Sequence, residues 1–322
     1  MLAKRLEYID FIKGFGIFLV VLGHATLPRS PYIYSFHVPL FFFISGYFFK
    51  DKPVLENLKS KLKRIYFPFV ISNVLTWLFF VTIDLLKGVP AGKQSYIDLL
   101  RTIAGIDSSV PQNGPLWFLL CLFSLSVMFI LITLIKTEYL RLIIVLALSV
   151  SGYFLSRAVS DLPFKIETAM MMAPFFYAGN VFGRYGFSDR IDKFSGIAVF
   201  NISVLLSYLN YVTNSYNLKL SGIERISVLE NSYGNVFLFY FSALCAIIFI
   251  TVISKKIIRI SAVNYLGKNS LIILCLHYPV LQYVERIHPA FLGSSLFFDL
   301  ISSLITVLLC VPSIYLASKF KT

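Results

Sequence analysis

Ten apolar runs divide this sequence, at about 9–27, 32–49, 66–86, 115–135, 140–156, 168–183, 194–212, 235–254, 267–286 and 295–317. Each approaches the roughly 20 residues that a helix needs to cross the ~30 Å hydrocarbon core of a bilayer. Ten such spans use about 200 residues and leave only short connections, although length alone would allow two soluble domains. The expected fold is therefore all-α, a single polytopic membrane domain over residues 1–322 with about ten transmembrane helices. Composition agrees, with 57% of residues hydrophobic and 14% charged, against roughly 45–50% and 25% in soluble proteins. An ordinary soluble enzyme and a disordered chain are both excluded.

The formal net charge of +13 raises the question of a nucleic-acid partner. None is expected, because Lys and Arg lie in short clusters between apolar runs with no aromatic-interleaved basic stripe. With the N-terminus inside, 19 of the 29 basic residues fall in inner segments and 9 in outer ones, and Lys13 stands within the first run. That alternation obeys the positive-inside rule and puts both termini in the cytoplasm. Losing one span would scramble it. The first run carries Asp10, Lys13 and His24 and is followed by no A-x-A pattern, so it is read as a retained span rather than a signal peptide. Cys121, Cys245, Cys275 and Cys310 all lie in apolar runs and read as small buried hydrophobes, with no disulfide framework and no metal site. The longest outer segments, about 87–114 and 213–234, are polar. They fit either the handling of a polar molecule on the outer face or simply solvated loops.

Ionisable residues within a span are expensive and usually face the bundle interior for function. Asp10, Lys13 and His24 sit in Y-I-D-F-I-K-G-F-G-I-F-L-V-V-L-G-H. Eleven residues at about 100° each return to within ~20° of one direction while advancing about 16 Å. One helical face thus carries Lys13 and His24 at different depths, and Asp10, three residues before Lys13, is placed to pair with it. Singly, each has a plain explanation: Lys13 snorkelling inward, Asp10 neutralising it, His24 satisfied near the interface. Together, a cation at the cytoplasmic end and an imidazole well above it suit a long ligand with an anionic end, such as coenzyme A. Histidine is the side chain best placed to accept and return a proton near neutral pH.

Other positions are weaker. His37, in S-F-H-V-P-L-F-F-F-I-S-G, lies at a depth comparable to His24, which fits one chamber and fits equally a histidine bonded to nearby backbone. In K-S-K-L-K-R-I-Y-F-P, Lys61 and Arg64 are three apart at the cytoplasmic start of the third span, where helical spacing aims both one way. Phosphate recognition and positive-inside anchoring both explain them. Q-N-G-P-L-W-F-L offers Asn113 and Trp117 to a sugar, though Trp is also common at membrane interfaces. His277 lies near mid-membrane in the ninth span, where it needs a polar partner. His288 is assigned no role.

These segments carry a resemblance. The chain resembles the acyltransferase-3 family of integral-membrane acyltransferases, which includes bacterial O-acetyltransferases of surface polysaccharides, on residues 8–24, on H-V-P-L-F-F-F-I-S-G-Y-F-F at 37–49, on G-P-L-W-F-L at 114–119 and on L-G-K-N-S-L-I-I-L-C-L-H-Y-P at 266–279. Family members commonly have an Arg, ten intervening residues, then a catalytic His. Here Lys13 takes the Arg position, so the cation stays and the bidentate fork is lost. The family's basic pair before the third span is matched by Lys61 and Arg64. Longer members add a soluble esterase-like domain; none follows here, so the acceptor is expected to be held by the membrane domain and its outer loops.

The resemblance implies acyl transfer, most often acetyl, from cytoplasmic acyl-CoA to a hydroxyl of a glycan or lipid-linked saccharide on the outer side, in a bacterial plasma membrane. No tightly bound cofactor is expected; acetyl-CoA is the donor substrate, and self-association is left open. His24 is assigned as general base, Asp10 as the group that holds Lys13, and Lys13, Lys61 and Arg64 as donor-binding residues. His37, Asn113, Trp117 and His277 are assigned to acceptor binding. A covalent acyl-histidine is the rival mechanism. A glycan or lipid transporter is the rival class, although no paired halves with matching broken helices are seen. A non-catalytic partner of a polysaccharide synthase is the third reading.

Overall fold

The computed structural model describes residues 7–25, 30–90, 92–159, 161–256, 260–287 and 296–319. Lys4, Arg5, Arg29, Arg259 and Lys321, which entered the charge count, and His288 lie outside the described residues. In chain order the α-helices are α1 (Glu7–Gly23), α2 (Pro31–Tyr34), α3 (His37–Tyr47), α4 (Val54–Lys61), α5 (Phe67–Leu86), α6 (Lys93–Ile103), α7 (Trp117–Thr133) and α8 (Glu138–Ala158). They continue with α9 (Ile166–Arg184), α10 (Phe187–Ile191), α11 (Gly196–Ser221), α12 (Val236–Lys256), α13 (Ser261–Lys268), α14 (Ser270–Ile287) and α15 (Leu296–Lys319). A π-helical turn, Leu62–Tyr66, joins α4 to α5. Among the described residues the only strand-like pairing is the Ser227–Ser232 bridge. The chain is all-α and is a multi-pass membrane protein.

Helix covers most of the described part of each of the ten apolar runs. Six helical stretches among the described residues are long and apolar enough to cross a bilayer by themselves: Val54–Leu86, Pro111–Thr133, Glu138–Ala158, Gly196–Ser221, Val236–Lys256 and Phe297–Tyr315. The other four fall short in length or in apolar character. α1 has 17 residues, about 26 Å of helix. The run at 32–49 divides into α2 and α3 at Ser35 and Phe36, where Phe36 takes φ −144°. Pro39 explains the division: in a continuous helix it would leave the Ser35 carbonyl unbonded and press its ring against it, whereas a restart at His37 puts it in a first turn, where no N–H is needed. Pro174 lies inside α9 and Pro279 inside α14, and each helix runs on past its proline.

Contacts group the chain into two compact units, one of Met1–Phe49, Phe175–Ile273 and Val280–Thr322, the other of Lys50–Pro174 and Leu274–Pro279. In the first unit, α1 is buried along Ile9, Ile12, Ile17, Val20 and Val21. Two close backbone crossings set its packing. A Cβ at Gly14 would lie 1.9 Å from the Val263 carbonyl oxygen, and one at Gly267 would lie 1.7 Å from that of Asp10, so α1 and α13 meet backbone to backbone. Reciprocally, Gly46 abuts the Phe176 carbonyl and Gly179 that of Phe43, each 1.9 Å from an added Cβ, which joins α3 to α9. Small residues at such crossings are how helices approach closely in lipid.

In the second unit, α7 is buried on nearly all sides, from Trp117 through Phe129 and Ile132. By contrast α8 exposes Leu142, Ile143, Leu146, Val150 and Phe154. So broad an apolar face is a liability in water and the expected surface in lipid.

Candidate functional site

In the first unit the acid and the cation of α1 lie beside the α13 crossing. Asp10 is buried, with 6% of its surface exposed. Lys13 is half-buried. They stand three apart on one helix and share a face. Because the Asp10 carbonyl is the atom that Gly267 abuts, this stretch of α1 is fixed from its backbone rather than by side-chain packing. Neither Gly14 nor Gly267 was singled out as functional in the sequence, yet both lie within the segments that carry the family resemblance.

α1 ends at Gly23, one residue short of His24. The His24 N–H bonds to the Val21 carbonyl at 3.1 Å and that of Ala25 to Leu22 at 3.2 Å, the i to i+3 pattern of a tightened last turn. His24 therefore stands just past the regular helix, half-buried, at the opposite end of α1 from Asp10 and Lys13.

Tyr34 ties this end of α1 to the second histidine. Its hydroxyl donates to the Gly23 carbonyl at 2.9 Å, and its ring stands edge to face against His37, with centroids 4.9 Å apart. His37 is buried, and its Nδ1 lies 2.8 Å from the Ile33 carbonyl. A carbonyl can only accept, so Nδ1 carries the hydrogen and the neutral ring keeps its lone pair on Nε2. Tyr34 thus links the residue before His24 to the His37 ring. Arg225, from the connection between α11 and α12, lies over the Tyr34 ring, its Cζ 5.6 Å from the ring centre. The sequence reading passed over both Tyr34 and Arg225.

In the second unit, Lys61 closes α4 and Arg64 lies in the π-helical turn. The Phe67 N–H bonds to the Leu62 carbonyl, five residues back. Pro68 accounts for the wider turn, since it has no N–H for the Arg64 carbonyl four residues earlier and its ring crowds that oxygen. The angle between Lys61 and Arg64 is consequently set by a π turn and not by the regular helix that their spacing predicted. Lys61 is half-buried and Arg64 exposed. Val54–Leu86 forms a rod of 33 residues, about 50 Å at 1.5 Å each, so roughly 20 Å of it exceeds a 30 Å core. The charged first third is the part that lies beyond the apolar stretch. Tyr66 pins the joint, donating to the Ile103 carbonyl at 2.6 Å and packing among Phe69, Phe123 and Phe164.

Two of the remaining candidates, Asn113 and His277, lie near Pro279. Asn113 is fully buried, with φ −141° and ψ 59°. Its Nδ2 donates to Thr76 Oγ1 at 3.0 Å and to the Cys275 carbonyl at 2.9 Å. Cys275 is four residues before Pro279, whose missing N–H leaves that carbonyl without its helical partner. Asn113 supplies it. The Asn113 Oδ1 is buried and has no hydrogen-bond partner among the described residues. His277 is fully buried, Nδ1 2.9 Å from the Leu274 carbonyl. Trp117 is 6% exposed and packs edge to face against Phe118, so its ring lies inside the unit.

One more charged corner was not anticipated. Lys165 is buried against Asp161 at 2.6 Å, and Phe164 and Lys165 both have left-handed φ, at 60° and 52°. The fully buried Glu167 accepts from Thr168 Oγ1 at 3.1 Å. No periodicity marks such a corner, because it depends on Phe164 N reaching Gly105 O at 2.7 Å from far along the chain.

The sequence matches the acyltransferase domain of the acyltransferase-3 family over residues 6–317. Among curated proteins it is similar to nodulation protein NolL of Mesorhizobium japonicum, with 26% identity over 262 residues, covering 74% of this chain and 64% of that protein. The match thus spans less than two thirds of the relative's length. No solved structure matches. The chain belongs to the acyltransferase-3 family.

Proposed function

We propose that this member of the acyltransferase-3 family is a membrane O-acyltransferase. It moves an acyl group, acetyl first among candidates, from cytoplasmic acyl-CoA to a hydroxyl of a surface polysaccharide or lipid-linked glycan, in a bacterial plasma membrane that it crosses ten times with both termini inside. The observation that carries the reading is the position of His24: a half-buried histidine directly past the end of a buried helix that holds Asp10 and Lys13, in a chain whose family match covers residues 6–317.

In this mechanism an imidazole nitrogen of His24 takes the proton of the acceptor hydroxyl. The oxygen attacks the thioester carbonyl, the new C–O bond forms as the C–S bond breaks, and the coenzyme A thiolate leaves with the proton returned from the imidazolium. In the first unit Asp10 steadies Lys13, whose cation meets the anionic donor; in the second, Lys61 and Arg64 are basic residues suited to the same kind of anion. His37 in the first unit, and Asn113, Trp117 and His277 in the second, are the residues proposed for acceptor binding, and the buried Asn113 Oδ1 has hydrogen-bonding capacity to spare.

A His24→Ala variant, expressed at parental level, is expected to lose about 10²–10⁴-fold in transfer, read by mass spectrometry of the acylated glycan. Transfer at the parental rate would end the assignment. Labelled donor mixed rapidly with the parental protein in the absence of acceptor should leave the protein unlabelled; stoichiometric label would replace direct attack by an acyl-histidine relay.

A further inference from the structure

Arg225 is a cation of the first unit that neither membrane orientation nor the donor accounts for. It belongs to an outer segment in the charge alternation, so positive-inside anchoring does not explain it. Its loop is a built one. Gly222, at φ 64°, closes α11, and Ser227 and Ser232 exchange backbone bonds at 2.8 Å in both directions. Asn217 holds the far end, donating to the Tyr233 carbonyl at 3.0 Å and accepting from Asn235 N at 2.7 Å. Ile226 and Val228, just beyond the arginine, are buried.

The guanidinium is stacked but not satisfied. It lies over Tyr34, its Nε is buried with no hydrogen-bond partner among the described residues, and the adjacent Glu224 is exposed. A buried donor on a charged group that lacks an acceptor is costly. A guanidinium laid on an aromatic ring keeps its N–H edge available for a planar oxyanion. Tyr34 in turn holds Gly23, the residue before His24, and packs on His37.

We infer that Arg225 binds a carboxylate or phosphate carried by the acceptor, so that the acylated hydroxyl belongs to an anionic saccharide seated beside His24. The identification of this anion with the acceptor rests on the acyl-transfer reading; the anion site itself does not. The test is therefore a binding measurement. The full-length protein in phosphatidylcholine nanodiscs is titrated with methyl β-glucuronide, glucose 1-phosphate and methyl β-glucoside, followed by saturation-transfer difference NMR. At least one anionic probe should bind about tenfold more tightly than the neutral glucoside. Arg225→Gln should abolish that preference, Arg225→Lys should retain part of it, and His24→Ala should leave it intact. Equal binding of all three probes, no binding at all, or an Arg225→Gln protein that behaves as the parent would overturn the inference. So would a preference that disappears in phosphatidylglycerol nanodiscs, because the site would then belong to a lipid headgroup. Should the preference hold while no acyl transfer is found with any acceptor, the acyl-transfer reading fails and the anion site stands.

Discussion

Lys13 and the Lys61–Arg64 pair are anchored in opposite ways. Lys13 sits on a helix whose main chain touches another main chain, with Gly14 against Val263 and Gly267 against Asp10. Lys61 and Arg64 sit where the main chain has opened into a π turn ahead of Pro68, with Arg64 exposed. The first arrangement tolerates almost no added volume and leaves its cation little freedom. The second depends on one missing N–H and on the Tyr66 anchor, and changes shape rather than collapsing when altered. A cation held rigidly can set position, while a pair on an opened turn can follow a ligand.

Filling the crossing should have the largest effect. Gly267→Ala would put a methyl 1.7 Å from the Asp10 carbonyl oxygen, and because both neighbours are backbone, neither can rotate aside. A loss of about 3 kcal/mol or more is expected, at or past the top of the usual 1–3 kcal/mol for overpacking. Gly196→Ala, where no atom lies within 4 Å of the new Cβ, should change stability by no more than about 0.5 kcal/mol. Thermal size-exclusion profiles in detergent would separate the two. A Gly267→Ala protein as stable as the parent would show that α1 and α13 do not meet this closely.

Opening the other region's constraint should act on binding instead. Pro68→Ala restores the N–H for the Arg64 carbonyl and is expected to return the π turn to regular helix, swinging Arg64 relative to Lys61. Under the proposed donor role, KM for acetyl-CoA should rise about tenfold, a change of about 1.4 kcal/mol, with kcat little altered. An unchanged KM would detach the pair from the donor and leave them as membrane anchors.

This contrast also marks what the sequence could and could not reveal. The spans were legible because each helix is written as a contiguous apolar run, and local chemistry decides whether a run becomes helix. Breaks inside runs were legible in principle: Pro39, Pro68, Pro174 and Pro279 each mark a carbonyl that loses its helical partner, yet only the resulting main chain shows whether the helix divides, widens or borrows a donor. On the site side, the placement of Asp10 and Lys13 three apart on one helix could be read from the sequence. Tyr34 and Arg225 could not, since their meeting depends on a loop about 190 residues away in sequence. The glycines at 14 and 267 were visible as letters, but a close approach is a property of two helices and is written in neither alone.

The smallest effect tests the borrowed donor. Asn113→Ala should leave the Cys275 carbonyl buried and unbonded, costing about 1–3 kcal/mol. Pro279→Ala offers that carbonyl a backbone N–H from within α14, so in that background the same Asn113→Ala change should cost about 1 kcal/mol less. Unfolding temperatures of the four proteins in detergent give the coupling directly. A coupling near zero would mean that Asn113 is not kept for the proline gap, and its unpartnered Oδ1 would then become the stronger reason for placing it against an acceptor hydroxyl. A clear coupling assigns the amide nitrogen to the fold and leaves only the oxygen for chemistry.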